Sequence, residues 1–228
     1  MPRTGKRSKT SLSRSQKMEV RKIAERVVDE EIEDKSTVKT DENVQLFHNK
    51  VLYEGKLIGT QIAQGVQDGD QSSGGTGLTT IRVGDQISLK NVNIRFWLSN
   101  KDDRPNVMYK GVLFWYPVGV APSDTTVYKT QTNKMLDRYN NKVIRIIDQF
   151  IVKSTNNYAV DANNHEHSYL ATLNKSYKNK KITFDNNGQV PKGSELGFAL
   201  VGYDAYGTLQ TDNIASCAIN VQITFQDA

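Results

Sequence analysis

One stretch, residues 79–117, constrains the fold more than any other because its apolar side chains recur at every second position. The alternation falls first on odd positions and then on even ones: Ile81, Val83, Ile87 and Leu89, then Val92, Ile94, Phe96 and Leu98. A period of two residues is typical of a strand with one buried and one exposed face. A single extra residue near Lys90 would keep both sets on the buried face, so the pattern predicts a β-bulge there.

The strand that follows differs, because Val112–Tyr116 is apolar at every position. Such a run is typical of a strand that is covered on both faces. Later segments alternate again, most clearly from Ala215 to Phe225, where Cys217 takes a core position. Roughly eight strands with long, uneven connections predict an all-β fold, an eight-stranded antiparallel jelly-roll sandwich rather than an immunoglobulin sandwich.

The connections carry weaker signals. Residues 56–64 and 143–152 are predicted to be strands, and residues 130–139 have weak helical character. Asp185–Gly188 has the sequence Asp-Asn-Asn-Gly, which is a strong turn signal.

Basic residues are concentrated before the first strand. They give residues 1–26 a local net charge of +7 within a chain of net charge +5, so the remainder is slightly acidic. The nine are Arg3, Lys6, Arg7, Lys9, Arg14, Lys17, Arg21, Lys22 and Arg26. A basic arm on a near-neutral body is typical of proteins that bind a polyanion; the alternative is a solvated tail that aids solubility. Residues 1–14 are predicted to be a disordered arm because they lack apolar periodicity.

An amphipathic helix is predicted from about Ser15 to Asp34. The sequence from Ser13 to Gln16 fits a capping box, and Val20, Ile23 and Val27 recur at helical spacing. A narrow apolar stripe on a charged helix favours a small bundle of identical helices, while packing of the helix onto its own domain stays open. Lys35–Asn43 is predicted to be a polar linker, so the segments are 1–14, 15–43 and a β-domain at 44–228.

No catalytic motif is present, and we expect the protein not to be an enzyme. His165 and His167 flank a Glu in an Asn-rich segment without further ligands, which favours a surface loop over a metal site. The single cysteine excludes an intrachain disulfide. No apolar run is long enough to span a bilayer, and the charged N-terminal segment is unlike a signal peptide, so neither membrane insertion nor secretion is expected.

These features together resemble the coat proteins of small icosahedral viruses. The likeness consists of a basic arm, one amphipathic helix, the segment Arg82–Ile87 leading into a long strand, and the aromatic-rich strand Gly111–Tyr116. It extends to the satellite tobacco necrosis virus coat protein and to capsid proteins of circular single-stranded DNA viruses. The order of elements matches over nearly the whole chain, and the short motif Gly84-Asp85-Gln86 is moderately diagnostic. This chain is longer at about 102–106 and 156–167.

The resemblance implies a virion protein that assembles with its own copies into the smallest icosahedral shell, of T=1 type, with the arm on a single-stranded genome. It implies that Val20, Ile23 and Val27 join helices at three-fold axes. It also implies Ca²⁺ at subunit contacts, with Asp68 and Asp70 as candidate ligands; two carboxylates alone do not fill the coordination sphere of Ca²⁺.

Binding by the arm should be independent of base sequence, because the chain has no base-reading motif. Whether the genome is DNA or RNA stays open, since phosphate contacts do not distinguish them. Lys6–Lys9 is a candidate nuclear-import signal during assembly in the host cell. The alternatives are a soluble trimeric jelly-roll ligand or lectin-type binding module, which would not explain the basic arm, and a cupin-like enzyme, which would need clustered histidines.

Overall fold

The structure is a computed structural model, and it describes residues 12–31, 34–64, 81–101, 103–104, 106–153, 168–185, 188–207 and 209–227. Contacts between residues divide the chain into two compact units, 1–33 and 34–228. None of the described helices is long and apolar enough to cross a membrane.

Within the described ranges there are three helices and ten strands. The helices are α1 at Arg14–Glu31, α2 at Leu57–Gln61 and α3 at Asp124–Val127. The strands are β1 Lys35–Phe47, β2 Val51–Glu54, β3 Ala63–Gln64, β4 Ile81–Arg82, β5 Gln86–Asn100, β6 Val107–Pro117, β7 Arg145–Val152, β8 Ser168–Thr183, β9 Ser194–Asp204 and β10 Asn213–Asp227.

Eight of the described strands form two four-stranded antiparallel sheets. Sheet A has the order β1-β10-β5-β8, and sheet B has the order β2-β9-β6-β7. When these eight strands are counted in chain order, the first pairs with the last (β1–β10) and the second with the second-last (β2–β9). The third pairs with the sixth (β5–β8) and the fourth with the fifth (β6–β7), as expected for one long antiparallel ribbon folded back on itself. Two further pairs, β10–β5 and β9–β6, complete the sheets. The prediction of an all-β sandwich of antiparallel sheets is therefore confirmed.

The main core lies between the two sheets, and β5 supplies its centre. Val92, Ile94, Phe96 and Leu98 are all fully buried. The predicted bulge is confirmed, since Leu89 pairs with Phe225 and Asn91 with Thr224, which leaves Lys90 as the extra residue. One inserted residue thus keeps the apolar side chains on both sides of it facing the core.

Strand β6 is covered on both faces, as its unbroken apolar run predicts. Leu113 and Trp115 belong to the main core, while Val112, Phe114 and Tyr116 form a second cluster with the connection between β6 and β7. Buried cations attach that connection to the rest of the β-domain.

The buried cations are two lysines. Lys110 Nζ donates to the backbone oxygens of Lys134 at 3.1 Å and of Asp137 at 2.9 Å. Lys134 Nζ lies 3.0 Å from Asp124 Oδ2 and donates to the backbone oxygen of Asn49 at 3.1 Å. The outer face of sheet B is therefore covered by its own chain.

The predicted linker is wrong, because Lys35–Asn43 forms the larger part of β1 and pairs with β10. Most side chains of this segment are exposed, and only Thr37 is buried. An edge strand with so few buried side chains can be as polar as a linker, which is why the sequence did not reveal it. The β-domain therefore begins before the predicted boundary at residue 44.

Two other local predictions are also wrong. Residues 56–64 form α2 and then β3, because the carboxylate of Glu195 accepts the N–H groups of Ile58 at 3.0 Å and Gly59 at 3.1 Å. Residues 130–139 contain a single turn, closed by Asp137 N–H to the backbone oxygen of Asn133 at 2.7 Å. The predicted strand at 143–152 is confirmed as β7.

Deletion of Lys90 should reverse the facing of the residues that precede it in β5, so that the side chains of Ile87 and Leu89 point away from the core. Each is fully buried, and exposing two such side chains costs about 3 to 6 kcal/mol. We expect the deletion variant to lose most of its resistance to urea. The matched control, Lys90→Ala, keeps the bulge and should change the free energy of unfolding by no more than about 0.5 kcal/mol. Equal midpoints for the two variants would contradict the role of the bulge.

Cys217 makes the sandwich sensitive to alkali. Burial raises the pKa of its thiol from 9.0 to about 12. The unfolded chain therefore releases this proton at a lower pH than the folded chain, and stability falls as pH rises above about 9, by up to about 1.4 kcal/mol per pH unit. In urea titrations between about pH 8 and 10, the slope for Cys217→Ala should become progressively shallower than that of the unmodified chain, by a difference that approaches one proton at the upper end of this range. Parallel curves for the two proteins would contradict this.

Candidate nucleic-acid interface

Helix α1 begins with the predicted capping box. Ser13 N–H donates to Gln16 Oε1 at 3.0 Å, and Gln16 N–H donates to Ser13 Oγ at 3.3 Å. These reciprocal bonds satisfy N–H groups that have no partner within the helix. The helix ends at Glu31 in the described residues, before the predicted end at Asp34.

The cations of α1 form a basic face. Arg14, Lys17 and Arg21 follow one another at intervals of three and four residues, which places them on one side of the helix, and Lys22 flanks them. All four are exposed. Arg26 also lies on α1, while Arg3, Lys6, Arg7 and Lys9 lie outside the described residues. The structure therefore places five of the nine predicted nucleic-acid-binding residues on α1 and brings four of them together on its exposed basic face.

The predicted oligomerisation residues occupy a different side of α1. Val20, Ile23 and Val27 are spaced by three and four residues and are each about half exposed. Exposed apolar stripes of this kind are typical of helices that associate. The three-fold bundle stays a prediction.

The segment Arg82–Gln86 is a structural corner. Arg82 is fully buried, its guanidinium lies 3.9 Å from the ring centroid of Phe184, and it donates to the backbone oxygens of Gly84 and Gly188. Gly84 has a φ of 84°, in the left-handed region that glycine adopts without strain. These contacts fix the start of β5 to the end of β8, so the segment carries no exposed binding group at Arg82.

The predicted metal residues lie outside the described part of the chain: Asp68, Asp70, His165 and His167. Among the residues that are described, no group of three His, Cys, Asp or Glu side chains is placed to hold a metal ion. Calcium binding stays a prediction.

The β-domain exposes apolar side chains that sequence reasoning did not single out. Trp97 is 56% exposed and Leu170 is 83% exposed, and the two pair directly across β5 and β8. Ala218 of β10 pairs with Trp97 on its other side. The alternation after the bulge at Lys90 is the signal that could have placed Trp97 on the outer face of sheet A.

No protein-family model matches the sequence, and no curated protein matches it significantly. Solved structures do show likeness. A chain of Desmodium yellow mottle tymovirus is 12% identical over 86% of this chain and 88% of that chain, with a TM-score of 0.37. A chain of the T13 IBDV viral particle is 9% identical over 100% of this chain and 39% of that chain, with a TM-score of 0.26. Both structures come from viruses. At TM-scores of 0.37 and 0.26 the two structures do not establish a shared fold.

Ile23→Asp tests the apolar stripe of α1. A carboxylate in an apolar helix contact costs about 2 kcal/mol or more, so self-association of the full chain should weaken by about tenfold or more. Met18→Asp is the matched control, since Met18 is exposed and lies on the side of the helix opposite to the stripe. Sedimentation velocity measures association, and circular dichroism checks that both variants keep their helix. Equal weakening by both substitutions would contradict a specific helix contact.

Proposed function

We propose that this protein is a viral capsid subunit that assembles into a small icosahedral shell and packages single-stranded nucleic acid through its basic N-terminal segment. Its role is structural rather than catalytic. The observation that carries the proposal is the combination of a ribbon-like sandwich with an exposed basic helix that precedes its first strand.

The pairing order supports a jelly roll. In that fold a long antiparallel ribbon is rolled so that its first and last strands lie side by side, and two Greek keys result. The pairs β1–β10, β2–β9, β5–β8 and β6–β7 have this order, as do the sheet orders β1-β10-β5-β8 and β2-β9-β6-β7. Jelly rolls occur in capsid, lectin and cupin proteins, so the fold alone does not select the function.

The charge distribution favours a capsid function over a lectin or cupin function. A strongly basic segment joined to a slightly acidic body concentrates positive charge at one end of the chain. Neutralising phosphates with this segment releases counterions, and each contact on a single strand adds about 0.7 to the slope of log affinity against log salt. Many such segments inside one shell would hold a genome of any sequence.

Exposed apolar side chains support self-assembly. Trp97, Ile151 and Leu170 are large apolar residues that remain more than half exposed in the single chain. Such side chains are typical of surfaces that another subunit covers. Closed symmetry limits growth, and T=1 is the simplest icosahedral arrangement because every copy has the same surroundings.

Electron microscopy and absorbance at 260 and 280 nm of the purified full chain test the proposal. The unmodified protein should give uniform closed particles that carry nucleic acid. Combined substitution of Arg14, Lys17, Arg21 and Lys22 by Gln should lower the nucleic-acid content and reduce the salt slope by up to about 3, at about 0.7 per contact.

The matched control removes four exposed cations from the β-domain instead: Lys101, Lys129, Arg138 and Lys153, each changed to Gln. It changes the net charge equally and should leave the salt slope of binding unchanged. Equal loss in both variants would assign binding to net charge rather than to α1. Small oligomers without particles, across a range of salt and Ca²⁺ concentrations, would overturn the capsid proposal and favour the soluble trimeric binding module.

A further inference from the structure

A cleft lies between the edge strands β7 and β8, where the two sheets meet at one side of the sandwich. It consists of two neighbouring cavities of about 320 Å³ and 260 Å³. Both cavities are lined by Trp115, Arg145 and Lys180, so they form one continuous surface. We call this surface the β7–β8 cleft.

Two bulges shape the cleft, one in each edge strand. On β7, Leu113 pairs with Asp148 and Phe114 with Ile146, so Ile147 is an extra residue. On β8, Lys180 pairs with Leu89 and Ser176 with Asn91, so residues 177–179 lie opposite Lys90 alone. Bulges bend a strand and redirect its side chains.

The bulge in β8 directs Tyr177 onto Trp115. Trp115 Nε1 donates to the hydroxyl oxygen of Tyr177 at 3.2 Å, and the two rings lie 6.4 Å apart at 65°. Lys180 Nζ lies 5.3 Å from the centroid of the Trp115 ring. Burial raises the pKa of Tyr177, and the charge of Arg145 nearby opposes part of that rise. The floor of the cleft is therefore a fixed aromatic pair with cations around it.

Four cations line the cleft: Lys142, Arg145, Lys175 and Lys180. All four are exposed, and among the described residues none of them forms an ion pair. No carboxylate lines either cavity. Asp148 follows the β7 bulge, but its carboxylate accepts the backbone N–H groups of Asn174 at 2.8 Å and of Gln149 at 2.9 Å. The cleft thus concentrates positive charge on a body that is slightly acidic as a whole.

Protection of the sheet edges is the simpler explanation of these charges, since lysines on edge strands prevent pairing with other chains. It accounts for Lys175 and Lys180 on β8. It does not account for Lys142, which precedes β7, or for bulges in both edge strands beside the same cavity. A cleft that gathers unpaired cations around a rigid floor is suited to an anionic ligand.

We propose that the β7–β8 cleft is a second nucleic-acid contact, in which Arg145 and Lys180 hold backbone phosphates of a single strand. The inference rests on the proposed function and locates a contact on the β-domain in addition to that of the basic arm. Arg145 supplies the planar fork that binds phosphate oxygens in pairs, and Lys142 and Lys175 extend the positive surface on either side. Two joined cavities give room for successive phosphates.

The experiment uses the full chain with Arg14, Lys17, Arg21 and Lys22 changed to Gln, so that binding outside α1 dominates. Affinity for a short labelled single-stranded oligonucleotide is measured against salt concentration. Adding Arg145→Gln and Lys180→Gln should weaken binding by about tenfold or more and lower the salt slope by about 1.4, which is two contacts at about 0.7 each. The control pair Lys101→Gln and Lys129→Gln, from exposed positions outside the cleft, should change neither quantity.

Two further measurements guard against a change in folding. Lys142→Gln with Lys175→Gln leaves the cation over Trp115 in place, and this pair should also lower the slope, by less than the value of about 1.4 expected for the two residues that hold the phosphates. The chain has two tryptophans, so Trp97→Phe leaves Trp115 as the reporter, and its emission should change when oligonucleotide is added. Thermal unfolding confirms that each variant stays folded.

The outcomes separate this inference from the proposed function. If the unmodified chain binds oligonucleotide while neither cleft pair changes the salt slope, the cleft inference is overturned and the capsid proposal stands. If a heparin oligosaccharide competes at the cleft more strongly than an oligonucleotide of equal charge, the ligand is a sulfated glycan and the inference is overturned. If the unmodified chain binds no nucleic acid, the packaging function itself fails.

Discussion

The sandwich depends on a single inserted residue. Strand β5 is fifteen residues long and central in sheet A, and its apolar side chains reach the core on both sides of Lys90 only because that residue is extra. The neighbouring strand β8 is irregular at the same position, since its residues 177–179 bulge opposite Lys90. Tyr177 is thereby directed onto Trp115 of the other sheet. The constraint that keeps the core continuous therefore also shapes the surface between the two sheet edges.

Most of the core could be predicted from the sequence because alternation is a local property. The bulge at Lys90, the doubly covered run at Val112–Tyr116 and the capping box at Ser13 all depend on neighbours within a few residues. The wrong predictions depend on partners far away. Helix α2 is held by Glu195, more than a hundred residues further along the chain. Lys35–Asn43 becomes a strand because β10 offers it an unpaired edge, which its own polar composition does not indicate.

The basic face of α1 could be predicted from the sequence, whereas the β7–β8 cleft could not. The basic face is visible as a local excess of positive charge, because Arg14, Lys17 and Arg21 are close in sequence. The cleft is assembled from four strands and the segment before β7. The pattern of β7 also misleads, since it places Ile146 and Phe150 on one face, whereas the bulge at Ile147 puts Ile146 against the second cluster and Phe150 against the main core. A register that is known only from pairing decides which side chains meet.

The buried cations of the β-domain and the exposed cations of the cleft differ in whether the fold supplies partners for them. Every buried cation described in that domain is matched with acceptors: Arg82 with backbone oxygens and an aromatic ring, Lys110 with backbone oxygens, and Lys134 with Asp124. Burying a charge without such partners costs several kcal/mol, so these pairings are required by the fold. Exposed cations are under no such requirement, because water solvates them. Four of them around one cleft repel one another, and folding alone does not explain their convergence. An anionic ligand would relieve that repulsion, and this is the physical argument for the binding role proposed for the cleft.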